Sequence, residues 1–260
     1  MIKALRARIR QRHRTVAFPA GPAPALPERF RGHPVIKPEL CADGCQECAD
    51  ACPTGAITLQ PRLTVDLGRC LFCAECAAAC PSGALAYSRD FRLAARRRED
   101  LLVSEEETVR LASVLDAKAR RLFGRSLKLR QVSAGGCNAC ESEVNVLSTV
   151  VWDIARFGVQ IVASPRHADG LIITGPVTDN MRLALRKTYD AVPAPKIVIA
   201  VGACAISGGP YIDHPEVHNG ADSTVPVDLY VPGCPPHPIT ILDGLLRLLG
   251  KIEEKGRSME

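Results

Sequence analysis

Beyond residue 127 short apolar, β-branched runs alternate with helical spacing. Residues 129–132, 159–162, 168–174, 196–201 and 227–231 are short runs rich in apolar and β-branched residues, which predicts buried strands. Between and after them, 141–157, 180–192 and 238–255 carry apolar positions three and four apart, and Pro238 suits the first turn of a helix. Strand alternating with helix predicts a parallel sheet covered on both faces, and we expect a flavodoxin-like α/β arrangement for 127–260.

The earlier part of the chain has a different rhythm. Ile2, Leu5 and Ile9 are interleaved with Lys3, Arg6, Arg8, Arg10, Arg12 and Arg14, the pattern of a short basic amphipathic helix. Such a segment lies on an anionic membrane surface or an acidic partner, or is a solvated tail; the pattern alone leaves these open. Pro19, Pro22, Pro24 and Pro27 follow, predicting an extended strap along another surface over the rest of residues 1–37. Further on, Ser104 with Glu107 reads as a capping box, and Val109, Leu111, Val114, Leu115, Ala119 and Leu122 form an amphipathic stripe. We therefore expect a helical connector over 91–126, between an α+β unit at 38–90 and the parallel-sheet unit.

Composition adds one strong feature. The 260 residues are enough for two modest cores, aromatics are 4%, and there are 12 cysteines. No uninterrupted apolar run follows the basic N-terminus, so no signal peptide is expected. The most apolar late stretch, 239–249, is broken by Asp243 and Arg247, so no spanning helix is expected either. In a reducing compartment, clustered cysteines hold metal or do redox work. The net charge of +5 is mild, and its basic residues concentrate in the tail and linker without stacking aromatics, so no nucleic-acid partner is expected. Gly202 to Gly209 lacks the order of a phosphate loop, which argues against nucleotide binding.

Twelve cysteines divide into three sets of four. Two sets lie in a duplication: Cys41, Cys45, Cys48 and Cys52 before Pro53, then Cys70, Cys73, Cys76 and Cys80 before Pro81, with Ala51–Ile57 echoed at 79–85. Zinc is the structural alternative, but zinc sites do not call for two interleaved runs of four with proline after each last cysteine. The third set is scattered: Cys137 and Cys140 follow the first strand of the second unit, Cys204 the strand ending at Val201, and Cys234 the strand ending at Val231. Loops at the carboxyl ends of parallel strands converge on one crevice, so these four thiols can meet there. Gly135, Gly136, Gly202 and Gly233 suit close approach of backbone to a bulky inorganic core.

The duplicated runs resemble those of bacterial two-cluster ferredoxins, in which the fourth cysteine of each run reaches across to the other cluster. Carried over by position, the resemblance implies one 4Fe-4S cluster on Cys41, Cys45, Cys48 and Cys80 and a second on Cys70, Cys73, Cys76 and Cys52. One residue inserted after Cys41 makes that position the departure from the pattern. Gly136-Cys137-x2-Cys140-Glu141, Ser164-Pro165-Arg166-His167-Ala168-Asp169, Val201-Gly202-Ala203-Cys204 and Val231-Pro232-Gly233-Cys234-Pro235-Pro236 resemble the small subunit of group 4 nickel-iron hydrogenases of the formate hydrogenlyase type. That subunit is homologous to the 20 kDa subunit of respiratory complex I. The resemblance implies a third, proximal 4Fe-4S cluster on Cys137, Cys140, Cys204 and Cys234, and no catalytic residue in this chain. The complex I relatives have adjacent cysteines at the first ligand position, whereas Asn138 and Ala139 separate them here, which is hydrogenase-like.

The implied partners are a hydrogenase-type large subunit, membrane-embedded subunits of the same complex, and an electron donor or acceptor such as a formate dehydrogenase. The implied location is the cytoplasmic face of the inner membrane. Glu141 is a candidate for proton passage or partner contact, or a glutamate favoured at a helix N-terminus. Arg166 and His167 are candidates for tuning a cluster or lining an interface, or for bonding to loop backbone.

Overall fold

The five apolar runs of the second unit form one sheet in which every neighbouring pair is parallel. The computed structural model describes residues 2–11, 14–105 and 108–252. In chain order the elements begin with α1 (Ile2–Gln11), β1 (Pro34–Ile36), α2 (Glu47–Asp50), β2 (Ile57–Thr58), β3 (Thr64–Asp66), α3 (Glu75–Ala79), β4 (Leu85–Tyr87), β5 (Leu102–Val103) and α4 (Ala117–Phe123). The second unit adds β6 (Leu127–Ser133), α5 (Ala139–Val146), β7 (Val159–Ile161), β8 (Gly170–Thr174), α6 (Asp179–Ala191), β9 (Ile197–Val201), α7 (Ala203–Ser207), β10 (Leu229–Val231) and α8 (Pro238–Leu248).

The large sheet has the order β7-β6-β8-β9-β10, and β8, β9 and β10 are buried along their whole length. Alternate side chains feed two cores. Leu127, Leu129, Ile172, Ile199 and Val231 meet Val144 and Leu147 of α5 and the apolar face of α8 on one side. Val132, Leu171, Ile173, Val198 and Ala200 meet Leu185 of α6 on the other, and this core continues into Val65, Leu67, Leu85 and Cys76 of the first unit. The two units therefore share apolar packing. The first unit holds two small antiparallel sheets, β1 with β4 and β2-β3-β5.

The proline-rich strap lies on the second unit. Val16 N–H donates to Val151 O at 2.9 Å, Arg156 donates to Phe18 O at 2.8 Å, and Val16, Phe18, Ala23 and Leu26 pack against the α5 and α8 core.

The expected helical connector is corrected. Among its described residues only Ala117–Phe123 is α-helical; 108–116 has no regular secondary structure, and Arg98–Leu101 is a single 3-10 turn. The cause is tertiary. Ala95 exchanges two backbone hydrogen bonds with Tyr230 and so covers the β10 edge, Leu102 and Val103 add a strand to β3, and the amides of Ala112 and Leu115 donate to Ala94 O and Leu248 O. The Arg98 guanidinium clasps both oxygens of Asp66 at 2.8 and 2.6 Å. These partners outweigh weak local helix propensity. Glu107 of the expected capping box lies outside the described residues, and Ser104 is buried.

Two predicted helices are also shorter than their patterns. The 141–157 pattern gives α5, which stops at Val146, before the β-branched Thr149, Val150 and Val151 and the left-handed Asp153 (φ 45°). The last helix ends where Gly250 takes φ 67°, with Gly250 N–H donating to Arg247 O and Lys251 N–H to Leu246 O, a Schellman closure. Residues 253–255 of that pattern lie outside the described residues.

Candidate metal centres

Strand direction places the third set of thiols. Cys137 and Cys140 leave the carboxyl end of β6, Cys204 that of β9 and Cys234 that of β10, so one end of the sheet gathers all four. The Cys140 thiol is affected electrostatically by Cys204, Cys234 and Cys137, and Cys204 by Cys234 and Cys137. Gly202 lets the loops approach: a Cβ there would lie 2.5 Å from Cys140 Sγ. Asn138, in the left-handed region at φ 71°, turns the chain between Cys137 and Cys140, as Ala74 (φ 67°) does between Cys73 and Cys76.

Among the eight other thiols, charge coupling crosses between the two runs. Cys48 is affected by Cys80, Cys41, Cys76 and Cys45; Cys70 by Cys76 and Cys52; Cys76 by Cys52 and Cys73. Cys41 acts on Cys48 despite the inserted residue. Charge is also felt between the sets: Cys76 acts on Cys48, and Cys73 on Cys234. Phe72 and Cys234 line one cavity of about 210 Å³ between the last two sets.

Burial pushes the Cys70 thiol up to about 11 and the Cys204 thiol up to about 12. Cys140 is raised further, by burial first and then by Cys204. Neighbouring sulfurs cannot all be anionic without compensating positive charge, which bound iron supplies as it displaces the protons. Backbone donors face other sulfurs: Ala56 N–H to Cys52 and Ala84 N–H to Cys80 at 3.2 Å, Phe72 N–H to Cys70 at 3.3 Å. Among the described residues no three Cys, His, Asp or Glu groups close on a point as ligands of a single ion do.

Glu141 is 5% exposed, and its Oε1 accepts from Ser133 Oγ at 2.5 Å and Thr174 Oγ1 at 2.7 Å. Its negative charge acts on Cys140 and Cys204. The carboxylate is thus an internal group fixed beside the third site. Arg166 and His167 are exposed in the turn Pro165–His167 that enters β8, at the end of the sheet away from the cysteines. The five residues of β8 stand between them and Thr174, roughly 16 Å at 3.3 Å per residue. The expectation that they tune a cluster is corrected. Sequence reading missed Tyr87, whose hydroxyl lies 3.5 Å from Cys70 Sγ and 3.4 Å from Cys76 Sγ, together with the hydroxyls of Ser133 and Thr174.

The family model for the NADH ubiquinone oxidoreductase 20 Kd subunit matches residues 137–248, from the first to beyond the last of the third set of cysteines. The probable membrane-bound hydrogenase subunit mbhJ of Pyrococcus furiosus is 43% identical over 136 residues, covering 52% of this chain and 81% of that protein. The chain belongs to the 20 kDa subunit family. This family member also matches the 4Fe-4S dicluster domain over residues 27–84, which contain all eight cysteines of the first two sets. Formate hydrogenlyase subunit 7 of Escherichia coli is 46% identical over 145 residues (55% of this chain, 57% of that protein), and an NADH-quinone oxidoreductase subunit of Clostridium beijerinckii 47% over 127 residues (47% and 75%). The 20 kDa family member is accordingly an iron-sulfur electron-transfer subunit of the hydrogenase and complex I-like oxidoreductases. No helix of the described residues is long and apolar enough to cross a membrane.

Proposed function

We propose that this chain is a three-station electron conductor of a membrane-associated group 4 nickel-iron hydrogenase complex of the formate hydrogenlyase type. The observation that carries the reading is that β6, β9 and β10 deliver Cys137, Cys140, Cys204 and Cys234 to one end of the sheet, with charge coupling to the duplicated runs from Cys73 to Cys234. Cys41, Cys45, Cys48 and Cys80 would hold the first 4Fe-4S cluster, Cys70, Cys73, Cys76 and Cys52 the second, and Cys137, Cys140, Cys204 and Cys234 the third. A 4Fe-4S cluster, when bound, takes up and releases a single electron. The chain's own residues fix the spacing, exclude water and set the local charge; none of them is a catalytic residue. The strand order, second-first-third-fourth-fifth, supports a flavodoxin-like arrangement with the third site at the carboxyl ends of its strands.

The partners of this reading are a large subunit with the nickel-iron centre against the third site, membrane-embedded subunits, and a donor or acceptor such as a formate dehydrogenase at the ferredoxin-like end. Purified with its large subunit, the complex is expected to contain nickel and to exchange electrons between a low-potential dye and hydrogen. The relative from Clostridium beijerinckii supports a second reading, a complex I-like assembly that reduces a quinone. A nickel-free large subunit and quinone reduction in the same preparation would establish that alternative. The two-residue spacing between Cys137 and Cys140 supports the hydrogenase.

We place the complex peripherally on the cytoplasmic face of the membrane. Helix α1 supports this, because Ile2, Leu5 and Ile9 are 62–73% exposed on a helix that carries Lys3, Arg6, Arg8 and Arg10 and no acidic residue. The full chain is expected to sediment with anionic phospholipid vesicles and to lose most of that binding when Leu5 and Ile9 are both changed to Gln. Equal sedimentation of parent and variant would remove α1 from the account.

A further inference from the structure

The two halves of the ferredoxin-like unit are not equivalent in the donors they turn toward sulfur. Aligned on Cys52 and Cys80, each half supplies the same local set: Ala56 N–H with Thr54 Oγ1 around Cys52 (3.2 and 3.9 Å), and Ala84 N–H with Ser82 Oγ around Cys80 (3.2 and 3.7 Å). Seven residues after those cysteines the halves diverge. The second half has Tyr87 and the first has Leu59, an apolar side chain packed against the core. Tyr87 Oη lies 3.5 Å from Cys70 Sγ and 3.4 Å from Cys76 Sγ, and its ring makes a tilted contact with Phe72 at 6.2 Å. Both sulfurs are buried and belong to the same set of four.

We infer that Tyr87 sets the redox order of the two ferredoxin-like stations, its one hydroxyl proton shared between the Cys70 and Cys76 thiolates of the second set and raising the reduction potential there above that of the first. The inference rests on the cluster reading above. Once Cys70 and Cys76 are thiolates they can only accept, so the phenol is the donor. Reduction adds one negative charge to the cluster and its sulfurs, and a donor in a buried, low-dielectric site stabilises the reduced form more than the oxidised one. The Phe72 N–H to Cys70 acts in the same direction. An electron entering at the first set then rests on the second, whose Cys73 is coupled by charge to Cys234 of the third set. Tyr87 is a positioning residue for charge.

The test uses the full chain loaded anaerobically with iron and sulfide, parent against Tyr87→Phe, titrated with dithionite and followed by electron paramagnetic resonance. The change removes one oxygen and keeps the ring. One ferredoxin-type signal is expected to move to lower potential by a roughly two- to tenfold change in its oxidised-to-reduced ratio, about 20–60 mV for a single electron, while the other two stay in place. In the parent, hyperfine spectra after exchange into deuterated water are expected to show an exchangeable proton coupled to that cluster, lost in the Phe variant. Three signals at unchanged potentials in Tyr87→Phe would overturn the inference, as would absence of the exchangeable proton from the parent, a measurement that stands even if the variant loads poorly. Failure of the parent to bind iron and show ferredoxin-type signals would instead overturn the cluster reading.

Discussion

Changing Cys234 to Ala removes one of three paramagnetic signals and leaves the other two where they were. The reason is the separation of the sets along the chain. Cys234 sits after β10, and it is coupled by charge to Cys137, Cys140 and Cys204 of its own set and, across to the second, to Cys73. Losing it leaves three thiols around an uncapped corner, while both ferredoxin-like sets retain all four. Iron is expected to fall from about twelve to about eight per chain, and dye-driven electron delivery to the large subunit to drop to background because the last station is gone. Cys52→Ala is the informative contrast. Cys52 lies in the first run but acts on Cys70 and Cys76, so its loss is expected to empty the second site and leave the first. Three signals surviving in Cys234→Ala, or loss of the first rather than the second in Cys52→Ala, would show the ligand sets to be wrong.

Much of the fold was legible because the signals were local and dense. The run at 196–201 became β9 with one residue's difference, and strand alternating with helix gave a sheet that is parallel throughout. The candidate site was legible for a similar reason: cysteines that follow strands must meet at one end of such a sheet. What failed depended on partners distant in sequence. Val109 and Leu115 belong to a stripe of helical spacing, yet they are buried in different cores because an irregular segment crosses both, fastened at Ala94 and Leu248. Their periodicity recorded two surfaces, where one helix face had been expected. Arg166 and His167 carried a usable signal that was passed over. They precede β8, and a residue that enters a strand lies opposite the residues that leave its neighbours. Tyr87 was visible too, as the position where the duplication breaks from Leu59, but its meaning needed the positions of Cys70 and Cys76 in space.

Gly202→Ala is expected to empty the third site without touching a ligand. At φ 93° and ψ 155° Gly202 occupies backbone space essentially closed to other residues, so alanine costs about 1–3 kcal/mol before any contact is considered. The contact makes it worse, since the new Cβ would lie 2.5 Å from Cys140 Sγ. The loop after β9 is fixed by Gly202 N–H to Val231 O at 2.9 Å and Ala203 N–H to Gly233 O at 2.8 Å, which ties it to the Cys234 loop. Cys140 therefore has to swing away from its three neighbours. Expected readouts are loss of about four irons, disappearance of the third signal, and a lower melting temperature. Gly83→Ala separates strain from crowding. Gly83 has φ 67° with nothing within 4 Å of an added Cβ, so that variant is expected to melt earlier yet keep its iron. If Gly202→Ala retained the third signal in full, the close approach of the β6 and β9 loops would not be what forms the site.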